Sequence, residues 1–227
     1  CGSGTFPIEA AMMAADIAPG MNRSFLAEDW KHLVPRRCWY EALEEAQDRV
    51  NLNVDTDIQG FDIDPDALRA ARSNAKMAGV DKLIHFQQRA VKDLSHPKPY
   101  GFLITNPPYG ERISSSDLFG LYESIGNRLK HVFKGYDAWI ISYHKECFDK
   151  IVLKPSVKID LMNGALECEY RKYEIFDGRY KEFKEEGKNL DKREGQTRRT
   201  NLRGKAPFDR KRTYDSDRRS DKTCLLY

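Results

Sequence analysis

The stretch GFLITNPPYGERI, residues 101–113, begins as an apolar strand and then sets Asn106, Pro107, Pro108 and Tyr109 where that strand must end. Consecutive prolines stiffen the backbone and surrender two N–H donors, which leaves carbonyl oxygens exposed as acceptors. Asn106 adds a side-chain oxygen, and Tyr109 a flat ring. These are the parts that hold a planar exocyclic amine on a base. Two acceptors take its two N–H bonds while the ring stacks on the heterocycle. An aryl amine is a poor nucleophile because its lone pair is drawn into the ring. Hydrogen bonds that pull the nitrogen toward tetrahedral geometry free that pair for in-line attack, so transfer of a methyl group from a sulfonium donor needs positioning more than a strong base. An ordinary proline-rich strand exit accounts for Pro107 and Pro108 but not for the flanking Asn106 and Tyr109. These four residues are therefore the candidate catalytic motif.

Two further features precede it. Cys1-Gly2-Ser3-Gly4-Thr5 leads directly into a helix. Such a glycine turn lets backbone amides approach a ligand, and the helix N-terminus favours negative charge. The third glycine of the dinucleotide fingerprint is absent, because Pro7 stands there; taken alone, the loop also fits a simple tight turn. Next, Gly60-Phe61-Asp62-Ile63-Asp64 ends a strand. A carboxylate in that place can accept hydrogen bonds from both hydroxyls of a cofactor ribose. Asp62 is the candidate for that role, since the glycine loop comes before it. Asp64 is a second candidate, although capping the following helix explains it equally well.

The elements that must position these residues are legible from periodicity and punctuation. Helices are predicted over Ile8–Ala18 and Arg37–Val50, the second with Trp39, Ala42, Leu43 and Ala46 along one side. Thr56–Ile63 reads as a strand, followed by a helix with Asp64 as N-cap, Pro65 as its first residue and Gly79 as its stop. Strands are expected at LIHFQQ and Tyr100–Thr105, and an amphipathic helix carries Leu118, Leu121, Tyr122, Ile125 and Leu129 on one stripe. DAWIISY is a further buried strand, KECFDKI a short helix, and the segment around Asn163-Gly164 a hairpin. Alternating strands and helices imply an α/β, doubly wound, mostly parallel sheet, with the hairpin adding an antiparallel edge. In such sheets ligands bind outside the carboxyl ends of the strands, where the loop, Asp62 and Asn106–Tyr109 would meet.

Composition narrows the classes. The net charge of +3 hides a basic segment, residues 181–227 at net +6, behind a body at net −3. From about Gly178 the apolar periodicity stops, so residues 178–227 are expected to be a charged, flexible tail. Arg198-Arg199, Arg203-Gly204-Lys205 and Arg210-Lys211-Arg212 in it suit RNA phosphates, whereas the interleaved acids suit a merely solvated terminus. The five cysteines (1, 38, 147, 168, 224) form no C-x-x-C pair, and the five histidines share no ligand spacing with them, so no metal site is expected. No apolar run approaches the roughly 18–20 residues that cross a bilayer, and no basic-then-apolar leader is present. The expected compartment is the cytoplasm. The Asn22-Arg23-Ser24 glycosylation triplet is then a chance match.

Together these residues resemble the class I S-adenosylmethionine-dependent methyltransferases. The segments CGSGTFPIEAAMMAADIAPGMNRSF, FDIDPDALRAARSNAKMAGV, TNPPYGERI and NGALECEYRKYEI look like the THUMP-domain RNA methylases, whose bacterial members methylate the N2 amine of a guanine in 23S ribosomal RNA. The resemblance covers about residues 1–177, which would form a Rossmann-like catalytic domain. It implies a cofactor site at Cys1, Gly2, Gly4, Thr5, Asp62, Asp64 and Asn106, and catalysis by Asn106–Tyr109. Methyltransferases of this class often place an acid after the third strand to meet the adenine amine. Ala90 stands there, and Asp93 is the nearest substitute. The family's first strand, ending in Asp-Pro just ahead of Cys-Gly-Ser-Gly, and its THUMP domain are both missing, so the chain is expected to be a fragment of a larger enzyme. Related readings of the same motif are N6-adenine methylation of DNA or RNA and methylation of a glutamine amide; a different class is a non-catalytic RNA-binding fragment.

Overall fold

The computed structural model describes residues 1–108, 114–176 and, as a strand, 223–226. The chain divides into two units, Cys1–Ile175 with Lys222–Tyr227 and Phe176–Asp221; the described residues belong to the first, Phe176 apart. Its helices are α1 (Thr5–Ala14), α2 (Arg36–Asp48), α3 (Pro65–Met77) and α4 (Ser115–Val132). Its strands are β1 (Ile58–Asp62), β2 (Ile84–Gln88), β3 (Gly101–Thr105), β4 (Tyr136–Ser142), β5 (Val157–Asn163), β6 (Leu166–Glu174) and β7 (Thr223–Leu226). They form one sheet in the order β2-β1-β7-β3-β4-β6-β5, in which β6 alone runs against the rest, antiparallel to both β4 and β5. The doubly wound sheet with an antiparallel hairpin edge is the one the sequence implied.

Alternation along each strand divides the core between two faces. Phe61, Leu103, Ala138, Ile140 and Tyr173 point into one cluster, closed by Leu118, Tyr122, Ile125 and Leu129 of α4. Ile58, Ile84 and Phe86 point the other way, into a cluster with Ala11 of α1 and Leu68, Ala71 and Ala75 of α3. The α3 signals hold as read: the Asp64 carboxylate accepts from the Asp66 N–H at 2.8 Å, and Gly79 follows the helix with φ +72°.

One expectation changes, and two helices gain detail. The first helix starts at Thr5 and ends at Ala14, so it takes up the glycine loop at once. The predicted apolar side of α2 is not buried: Trp39 and Ala46 are half-buried, while Ala42 and Leu43 are exposed. Amphipathicity shows which face is apolar, not whether a partner covers it. The KECFDKI segment is the short helix expected, a 3-10 helix over Lys145–Ile151. A further finding concerns the sheet centre. The place between β1 and β3, which the resemblance gives to a strand ahead of Cys1, is held by β7 from the end of the chain. Residue 177 and, of the predicted tail, residues 178–222 and 227 lie outside the described residues.

At the amino ends of the strands, opposite the predicted site, His96 is buried (side chain 2% exposed). One ring nitrogen lies 2.9 Å from Gln59 and 3.4 Å from Asp57, and the other 3.0 Å from the Tyr136 hydroxyl. Burial holds the ring's pKa below its usual value against the opposing pull of Asp57, with Lys98 adding to the downward shift. The unfolded chain therefore binds the proton more readily. This contribution to stability is complete above about pH 6.5 and is lost as pH falls below it. The thermal midpoint, followed by circular dichroism from pH 8 to 5, should show that loss, and His96→Gln should flatten it.

Gly126 on α4 supplies a packing test. A Cβ there would run into the Ile151 carbonyl oxygen and lie 2.8 Å from its Cα, whereas a Cβ at Gly120 meets open space. Gly126→Ala should lower stability by about 1–3 kcal/mol through overpacking. Gly120→Ala should raise it by up to about 1 kcal/mol through helix propensity. Denaturant midpoints check the pair.

Candidate active site

The glycine loop and Asp62 are joined directly. One carboxylate oxygen of Asp62 accepts from the main-chain nitrogen of Cys1 at 2.7 Å and from Gly2 N–H at 2.8 Å; the other accepts from Asp64 N–H at 3.0 Å. The Cys1 nitrogen also donates to the Phe61 carbonyl at 2.6 Å. Burial pushes the Asp62 pKa up, but these hydrogen bonds outweigh it and hold the carboxyl below its ordinary range. A carboxylate has about four lone-pair sites. Three are taken by the chain itself, so Asp62 fixes the loop and keeps room for one further donor.

The loop's shape needs its glycines. Gly2 and Gly4 have φ of +55° and +86°, and a Cβ on Gly4 would stand 2.9 Å from Ala71 Cβ of α3. A Cβ on Gly60 would stand 2.7 Å from the Phe86 ring and 3.4 Å from the Cys1 sulfur. Gly4 is the N-cap of α1 and lends no side-chain acceptor, so side chains do not satisfy the first N–H groups of that helix. Thr5, its first residue, is exposed, with its hydroxyl 3.3 Å from that of Ser3. The arrangement is an open cradle of N–H groups at a helix N-terminus beside a carboxylate, which fits an adenosyl amino-acid ligand.

β3 delivers Asn106, Pro107 and Pro108 to the same carboxyl edge, one strand beyond β7. Asn106 and Pro108 are exposed and Pro107 is buried, so the turn is pinned at its middle. Tyr109 lies outside the described residues. Asp64 caps α3, and its carboxylate is exposed. Asp93 ends a short 3-10 turn after β2 (Val91–Asp93) and is exposed. That turn is tied to α4, where Arg128 donates to the Leu94 carbonyl at 2.7 Å. No bond joins Asp93 to the glycine loop among the described contacts.

Two contributors were not legible beforehand. Asn74 of α3 donates to the Ser3 carbonyl at 2.9 Å and so anchors the loop from outside it. Tyr143, His144 and Lys145 leave β4 beside the Asn106 turn, since Thr105 pairs with Ile140. An asparagine late in a polar helix face, or a mixed turn after a strand, carries no local signal of such a role.

The family model described as RMKL-like, methyltransferase domain, matches residues 1–172. The chain belongs to that family. Among the curated relatives are the ribosomal RNA large subunit methyltransferases K/L of Shewanella sp. (strain ANA-3), 42% identical over 180 residues, and of Shewanella oneidensis, 41% identical. Each match takes in 77% of this chain and 25% of the relative, so the chain spans about a quarter of those proteins. Among solved structures, a methyltransferase complexed with SAH (SMU.472) superposes with TM-score 0.73 at 33% identity, covering 79% of this chain and 47% of that one. A Listeria monocytogenes protein described as a predicted N6-adenine-specific DNA methylase gives TM-score 0.69 at 34% identity, covering 77% and 45%.

Asp62→Asn turns an acceptor toward the Cys1 and Gly2 donors into an amide that accepts with only one atom. The loop should loosen by about 1–2 kcal/mol. Amide exchange at Gly2 and Asp64 should quicken accordingly, while that of the β4 core stays unchanged.

Proposed function

We propose that this chain is the catalytic part of an S-adenosylmethionine-dependent methyltransferase acting on the exocyclic N2 amine of a guanine in RNA, specifically 23S ribosomal RNA. The observation that carries the reading is the shared carboxyl edge: the Cys1–Thr5 loop is drawn onto Asp62 where β3 also delivers Asn106-Pro107-Pro108. The names of the K/L relatives support the substrate, and the SAH-bound neighbour supports the cofactor.

Cys1, Gly2, Gly4 and Thr5 would hold the amino-acid end of the cofactor, and Asp62 its ribose; Asp64 and Asp93 are the further candidates for contacts to it. The bound cofactor supplies an electrophilic methyl group on a sulfonium sulfur. Asn106 accepts from one N–H of the target amine and the Pro107 carbonyl from the other. Tyr109 stacks on the base. Held so, the nitrogen lone pair points along the line of attack. With the cofactor bound, its methyl carbon would pass to this nitrogen, and the electron pair of the carbon–sulfur bond would remain on sulfur. The nitrogen then sheds one proton to water, so no strong base is required.

The residues 1–177 and 178–227 are read as catalytic domain and basic tail. The arginine clusters of the tail would neutralise phosphates without reading sequence. Among the described residues no helix is long and apolar enough to cross a membrane. A second reading, N6-adenine methylation, rests on the Listeria neighbour's description, because the same four-residue motif serves both amines.

Incubation with S-adenosylmethionine and 23S ribosomal RNA, followed by nucleoside mass spectrometry, separates the two: N2-methylguanosine is expected, and N6-methyladenosine would replace this reading with the second. Asn106→Ala should lower transfer about a hundredfold or more while leaving cofactor affinity nearly intact. Normal turnover in that variant would remove Asn106 from the mechanism. Absence of any cofactor binding by the chain, measured by titration calorimetry, would favour a non-catalytic RNA-binding role.

A further inference from the structure

The NGALECEY segment is not used by the chemistry above, yet the structure gives it a distinct place. β6 pairs with β4 only as far as Ser142↔Glu169, whereas the β5–β6 ladder continues through Leu161↔Cys168 and Met162↔Glu167 to Asn163↔Leu166. The hairpin therefore runs past the carboxyl edge of the sheet by about three residues, roughly 10 Å. It forms an arm on the side of β4 away from the glycine loop. The turn leaving β4 faces it, and Lys145 of that turn is tied to Glu169 at the arm's base by a 3.1 Å ion pair.

Between arm and turn lies a cleft of about 390 Å³, lined by Lys145, Asp160, Leu161, Met162, Glu167 and Cys168. Its chemistry is mixed in a specific way. The exposed Met162, on the same face of the hairpin as Asp160 and Glu167, provides apolar surface, and a thioether packs well on a flat ring. Asp160 and Glu167 can only accept, and Lys145 can only donate. Two carboxylates against one already paired ammonium disfavour a phosphate, which needs net positive charge. They favour a neutral ring whose edge carries N–H donors next to a carbonyl acceptor. Guanine presents that set: N1–H and the N2 amine for the carboxylates, and O6 for Lys145.

We infer that this cleft is an accessory guanine pocket, holding an unpaired nucleotide next to the target. The inference rests on RNA being the substrate. Tyr143 and His144, half-buried with ring centroids 3.8 Å apart, stand in the chain between the end of β4 and Lys145. A strand with its target amine at Asn106 thus has its neighbouring base led over aromatic surface toward the arm, where stacking is tolerated by every base and the edge contacts select.

The test uses the whole chain with S-adenosylhomocysteine present and labelled oligouridine RNAs carrying either one guanine or two adjacent ones. Fluorescence anisotropy should show the second guanine tightening binding roughly tenfold. Lys145→Met and Glu167→Gln should each remove most of that gain and leave affinity for the one-guanine RNA unchanged. Both side chains are exposed, so folding is not at stake. No gain in the parent protein, or a gain untouched by both variants, overturns the pocket. The reaction is judged separately: methylation of the one-guanine RNA without any second-guanine gain rejects the pocket alone. A gain that persists in a protein unable to methylate either RNA rejects the proposed reaction and keeps the pocket.

Discussion

The hydrogen bonds from Cys1 and Gly2 to the Asp62 carboxylate organise the candidate site. They pull the start of the chain against the end of β1, and α1 begins immediately after. Everything on the cofactor side follows from that clamp. Gly4 can then settle against Ala71, Asn74 can reach the Ser3 carbonyl, and the N-terminal amides of α1 open toward the carboxyl edge. A carboxylate does this where an amide would not, because it accepts from several donors at once and its charge shortens the bonds.

The sheet divides the labour across its width. β1 carries the clamp, β3 the Asn106 turn, and β4 the Tyr143–Lys145 exit, with β7 bridging the first two. Parallel strands make this arrangement work, because all their carboxyl ends emerge on one edge and the helices return the chain to the other. The antiparallel hairpin breaks the pattern at the side of the sheet. Having no helix to turn into, it extends beyond that edge.

Motif chemistry was the most legible layer. Asp64-Pro65 as cap and first helical residue, Gly79 as stop and Asn163-Gly164 as the hairpin turn could be read because each requirement is local: a cap bond, a fixed φ, a positive φ. Asp62 and the glycine loop were paired from their order along the chain. The apolar side of α2 is legible for the same local reason, but periodicity does not say what lies across from it, and Ala42 and Leu43 there are exposed. Asn74 and the turn after β4 escaped notice because their roles depend on neighbours 71 residues away in the chain or one strand over.

By itself, then, the sequence determined the alternation of strands and helices, the apolar and polar faces, and the residue types at each strand exit. These depend on side-chain size, backbone freedom and hydrogen-bonding capacity within a few residues. Tertiary structure decided which exits stand side by side, that the carboxylate of Asp62 is spent largely on holding its own loop, and that β7 sits at the sheet centre. It also made the hairpin overhang the edge. Those outcomes rest on strand order and register, and pairing between distant segments is fixed by the energy of the whole sheet, not by any one stretch of chain.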